Sequence, residues 1–181
     1  MYQGAYQPLN PTPDVYSSNI LDLVLDPGVW PDPHTGTYIP VRETFTVETA
    51  GPGGKLNVPA DVETYDYKNH KWTTVGPNAK ATTKLALTFK LSNWHHGQPM
   101  TQADTRYGLY MSLEWSTQGA EGVADPRFDS EYKGVLTTWV DNFVGARFIG
   151  NEEVEVYVNY WFPDDSQIAA FASMFPTFPW E

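Results

Sequence analysis

The side chains able to do chemistry are few in kind and scattered along the chain. Histidine occurs four times, as His34, His70, His95 and His96. His95 and His96 adjoin each other between Trp94 and Gly97. Neighbouring side chains in an extended segment point to opposite sides, so the pair is a poor chelate. No His-x-x-x-His or Glu-x-x-His spacing places two ligands on one helical turn. The pair reads as a solvated turn, and no metal site is expected. Carboxylates come in pairs: Asp125 with Asp129, Glu152 with Glu153, Asp164 with Asp165. Glycoside hydrolysis needs two carboxyls opposed across a cleft, and two of these pairs have a local explanation. Asp164 and Asp165 suit a helix cap and a first-turn acid. Glu152 and Glu153 fall where a strand would turn in solvent. No serine lies in a Gly-x-Ser-x-Gly elbow. Gly51-Pro52-Gly53-Gly54 lacks the following Lys-Ser or Lys-Thr of a phosphate loop. Cysteine is absent, which removes disulfides, thiolate zinc sites and cysteine nucleophiles. The expectation is a protein that is not an enzyme and carries no cofactor.

Recognition chemistry is better represented. Aromatic residues make up 15% of the chain, and seven are tryptophans. Exposed Trp and Tyr stack on sugars or peptide side chains and anchor interfaces. Most of the tryptophans fall on inward faces of expected strands and helices and are read as core. Trp30 and Trp94 fall in turns and are the better candidates for contact with another surface. The formal charge is −11 with no basic run. Nucleic-acid binding needs clustered Lys or Arg, so that partner class is excluded, and anionic membrane surfaces are disfavoured. There is no apolar run long enough to span a bilayer. The first ten residues lack the basic and apolar regions of a secretory leader.

At 181 residues the chain is one domain's worth and can bury a core without staples. Residues 1–18 read as an extended lead-in, and 19–181 as a single α+β lobe. Ser17 or Ser18 could cap a short helix running through Leu25, which Pro27-Gly28 stops. Residues 30–40 are dense in turn formers, with Thr35-Gly36 the tip of a tight loop. Residues 43–49 alternate in polarity and read as a half-buried strand. Residues 62–67 and 72–75 read as a hairpin around Lys68-Asn69-His70. Leu85, Leu87, Phe89 and Leu91 keep period two and mark the clearest strand. Thr101 with Asp104 forms a capping box that starts a helix, along one side of which fall Ala103, Tyr107, Tyr110, Met111 and Glu114, with Leu109 and Leu113 next to it. A loop over 116–131 follows, then strands at 134–140, 146–149 and 154–160. Pro163-Asp164-Asp165 opens a last helix with Ile168, Phe171, Ala172 and Phe175 in its stripe. Two or three helices with a mixed, mainly antiparallel sheet fit α+β better than a doubly wound fold.

Two segments carry a family resemblance. The first is 19–45, where Asn19-Ile20-Leu21-Asp22-Leu23-Val24-Leu25 precedes Asp32-Pro33-His34-Thr35-Gly36 and Pro40. The second is 87–104: Thr88-Phe89-Lys90-Leu91, then Trp94-His95-His96-Gly97-Gln98-Pro99, then Thr101-Gln102-Ala103-Asp104. Together they resemble the extracellular solute-binding proteins, family 5, that feed ABC importers with oligopeptides, dipeptides or nickel. In that family a Thr-Phe-x-Leu strand leads to Trp-x-Asp-Gly-x-Pro and then to Thr-Ala-x-Asp at a helix start. Trp94, Gly97, Pro99, Thr101 and Asp104 match this signature. His96 replaces the usual acid, the link from Leu91 to Trp94 is short, and against the family pattern residues 51–82 read as an inserted hairpin. The clear similarity covers about a quarter of the chain.

The resemblance implies one lobe of a three-lobed, class II periplasmic-binding-protein-like fold. Family members are about three times as long, so the sequence reads as an excised piece covering the small lobe that does not form the pocket. It implies a parent protein that is extracellular or periplasmic, secreted or lipoprotein-anchored. The implied partners are a peptide or similar solute and an ABC permease in the membrane. Solute is captured between two hinged lobes, and this one supports them. Phe128 and Tyr132, in the loop after the signature helix, are the ligand-proximal candidates. The rival readings are a secreted carbohydrate-binding module that uses exposed Trp and Tyr, and a hydrolase built on paired acids.

Overall fold

A computed structural model of the chain describes residues 26–119, 125–176 and 179–180. The helix expected before Leu25 lies outside them. The remaining elements run β1 (Val29–Pro31), β2 (Tyr38–Pro40), β3 (Glu43–Thr49), β4 (Leu56–Asn57), β5 (Glu63–Asp66), β6 (Lys71–Thr74), β7 (Lys80–Ala81) and β8 (Thr83–Phe89). Helices α1 (Gln102–Ser116) and α2 (Ser130–Asn142) follow, then β9 (Phe143–Ile149), β10 (Glu153–Val158) and α3 (Asp165–Ala172).

The main sheet has six strands in the order β3-β8-β10-β9-β5-β6, all antiparallel. Strand β8 sits inside it because alternate residues suit burial: Thr83, Leu85, Leu87 and Phe89 are all buried. It pairs with β3 through Phe45↔Leu87 and with β10 through Val154↔Leu87. The helices cover one face, where Leu85, Leu87, Val154 and Val156 meet Leu109, Leu113, Ala169 and Phe175. Tyr157 points the other way and joins Val58, Val62 and Ala81 in a second cluster. Segment 51–82 thus does two jobs. Its β4–β7 pair lies by this second cluster, and its β5–β6 hairpin continues the sheet beyond β9. The mainly antiparallel α+β class expected from the pattern is the class observed.

Residues 134–140, expected as a strand, lie inside helix α2. The β-branched Val135, Thr137, Thr138 and Val140 drew the strand reading. The chain instead follows the cap. Asp129 Oδ1 accepts from the backbone N–H of Glu131 at 2.8 Å and of Tyr132 at 3.0 Å. Thr137 and Asn142 bond back to the carbonyls of Lys133 and Thr138. The turn-dense stretch 30–40 is a hairpin in which Trp30 faces Ile39 and Gly36 takes φ 72° at the tip. The strand expected to reach Leu91 ends at Phe89. On α1 the buried residues are Asp104, Thr105, Leu109, Met111, Leu113, Glu114 and Ser116, so of the side expected together Met111 and Glu114 are buried, Ala103 is exposed and Tyr107 and Tyr110 are half-buried. The tryptophans divide: Trp72, Trp94 and Trp139 pack half-buried against the main core. None of the seven is fully buried, and Trp30, Trp161 and Trp180 are exposed.

Candidate functional site

Four of the five signature residues converge on one small hollow. Gly97 makes the turn possible by taking φ 92°, a backbone conformation that side chains resist. Its N–H donates to Trp94 O at 2.9 Å, and Trp94 N–H donates to Gln98 O at 2.8 Å. Asn93 and Pro99 close the base of the turn as an antiparallel bridge. The helix start comes next. Asp104, 2% exposed, accepts from Thr101 N–H at 2.6 Å and from the Thr101 hydroxyl at 3.3 Å. The other Asp104 oxygen accepts from Trp180 N–H at 3.0 Å. Trp94, Pro99, Thr101 and Asp104, with Pro179 and Trp180, line a hollow of about 80 Å³. His95 and His96 are exposed at the tip of the turn.

Arg42 pairs with Asp26 at 2.8 Å, donates to Ser92 Oγ at 2.7 Å and lies 5.3 Å from the Phe175 ring centre. The segments at Asp26 and at Trp180 are therefore both tied to residues 92–104.

Next to it lies an unusual carboxyl. Glu43 opens β3 with its side chain inward and is fully buried. Neither oxygen has a hydrogen-bond partner of good geometry among the described residues. Burial pushes the group up to about 7, and the nearby Ser173 hydroxyl pulls only weakly the other way. Gly28 is required here, because a Cβ at that position would sit 2.5 Å from the Glu43 carboxyl carbon. The Gly28 carbonyl in turn accepts from the N–H groups of Val41, Arg42 and Glu43.

Sequence reasoning missed a cluster around Glu114. This residue is 1% exposed on α1, and its Oε1 accepts from His70 Nδ1 at 2.6 Å and from Arg127 Nη1 at 3.3 Å. Its other oxygen is buried without a partner among the described residues. Burial first, and then the Glu114 charge, push the Tyr65 phenol up. The cluster pins the β5–β6 hairpin tip and the loop at Arg127 to one helix. His70, in the left-handed region at φ 51°, is the hairpin residue that reaches it.

The two ligand-proximal candidates are not brought together. Tyr132 is 7% exposed and lines a cleft of about 270 Å³ between α1, α2 and the segment after α3. Its ring packs edge-on against Trp115 at 5.8 Å, and burial pushes its phenol up. Phe128 is outside that cleft, half-buried, with Lys133 Nζ 5.8 Å from its ring centre. Among the described residues no group of three or more His, Asp or Glu could hold a metal ion. No helix among them is long and apolar enough to cross a membrane. Comparison with protein-family models and with curated proteins finds no match to this chain.

Proposed function

We propose that the chain is one lobe of the substrate-binding component of an ABC importer for peptides or similar solutes. The observation that carries this reading is the way strand, turn and capped helix coincide on the signature residues. Strand β8 ends at Phe89, Gly97 takes the left-handed turn, and Asp104 closes the box on Thr101. Two of the deepest carboxyl groups, Asp104 and Glu114, serve internal contacts. The lobe therefore supports the neighbours that close on solute, closure being a hinge movement, and it performs no catalysis.

The test is the complete coding sequence. The reading expects an open reading frame about three times as long, with a secretory leader ahead of residue 1 and further lobes after residue 181. A frame that encodes these 181 residues alone would overturn it. Carbohydrate recognition is a second reading, favoured by the exposure of Trp30, Trp161 and Trp180 at 41%, 36% and 53%. Intrinsic fluorescence quenched by oligosaccharides would raise it above the first.

A further inference from the structure

The cleft beside Tyr132 has the makings of a small-molecule site. Helix α1 presents Thr105, Gly108 and Ser112 to it, three small residues on one face. Helix α2 presents Tyr132 and Trp139, and Phe175 closes the far side. A Cβ added at Gly108 would meet nothing within 4 Å, so the space lies directly against the helix backbone. Thr105 is 2% exposed, and its hydroxyl has no partner among the described residues. A buried hydroxyl without a partner costs free energy that a ligand group could recover. No charged side chain is among the described residues lining the cleft. A volume of about 270 Å³ is at the lower end for ligand pockets, which suits one or two fused rings.

We propose that this cleft binds a small uncharged aromatic molecule bearing one hydroxyl or N–H, with the rings of Tyr132, Trp139 and Phe175 as its walls and the Thr105 hydroxyl as its polar contact. The inference does not depend on the importer reading, since every residue it invokes belongs to this chain. Indole is the probe, with toluene as a partner of similar shape that cannot hydrogen-bond. Amide correlation spectra of the 181-residue chain are recorded with each. Indole is expected to shift residues around Thr105, Ser112, Tyr132 and Trp139. Gly108→Leu fills the space with a good helix former and should abolish those shifts while the fold is retained. Thr105→Val should weaken indole roughly five- to tenfold and leave toluene unchanged. The proposal is overturned by no shifts at these residues in the parent chain, or by shifts that survive in folded Gly108→Leu. Equal weakening of indole and toluene by Thr105→Val would also overturn it. Should Gly108→Leu fail to fold, the indole–toluene comparison in Thr105→Val decides.

Discussion

Replacing Glu43 by Gln removes one proton-binding group from the centre of the fold and almost nothing else. The carboxyl is fully buried, and its raised value comes first from that burial. No cation is among the groups that perturb it; the guanidinium of the adjoining residue, Arg42, is turned to Asp26 and Ser92. The ordinary value is 4.5 and the folded one about 7. A difference of this size corresponds to about 3 kcal/mol of pH-linked stability. The folded value is the higher one, so the folded chain binds the proton more tightly. The contribution is complete below pH 4.5, falls as pH rises toward 7, and stays lost above that. Glutamine is a neutral isostere and has no such slope. The variant should match the parent near pH 4.5 and exceed it at pH 8. For a chain of this size, about 3 kcal/mol appears as roughly 6–12 °C in Tm. The assay is thermal or urea unfolding of both proteins at half-unit steps from pH 4 to 8, read as the difference between them. A difference that does not change with pH would refute the reasoning, as would a variant that loses stability at pH 8.

Three further outcomes follow from the same contacts. Asp104→Ala removes the acceptor of Thr101 N–H and Trp180 N–H together, and should cost about 2 kcal/mol in urea unfolding. Trp180 emission should shift to the red in the folded variant as its segment is released. Glu114→Ala should cost about 1–2 kcal/mol, because both its partners are half exposed. Amide exchange should quicken at the hairpin tip near His70 and at Arg127, and not at Leu87. Asp129→Ala should cost about 1 kcal/mol and lower helix content, which it would not do if residues 134–140 formed a strand.

What could be read in the sequence was local. Strand β8 was legible because period two and burial coincide over Thr83 to Phe89. The helix starts at Thr101 and Asp164 were legible because a cap needs only neighbours within one turn: Asp164 Oδ1 accepts Ser166 N–H at 2.7 Å. Helix α2 was misread because its β-branched residues outvoted Asp129, a cap buried inside the expected loop. The side chains at Tyr132, Leu136 and Trp139, spaced for one helical face, were the available counter-signal. Glu43 is in phase with Phe45 and Val47 along its strand, so alternation alone places a carboxyl inward. The Glu114 cluster had no comparable signal. Its members are 44 and 13 residues from Glu114 in sequence and meet only because the β5–β6 hairpin and the loop at Arg127 fold onto one helix. The tryptophans defeated the composition argument because large rings pack one face and leave the other at the surface, as Trp72 does beside Tyr65.

The central claim is that this lobe supports solute capture and does not itself hold the solute. It is tested most directly by thermal-shift titration of two proteins with the same pool of short peptides: the 181-residue chain and the full-length product of its gene. The account predicts no shift for the chain and a saturable shift for the full-length protein, of the size expected at about a hundredfold excess of ligand over Kd, roughly 2.7 kcal/mol. A peptide shift in the chain alone, or a flat full-length protein that instead responds to oligosaccharides, would contradict it.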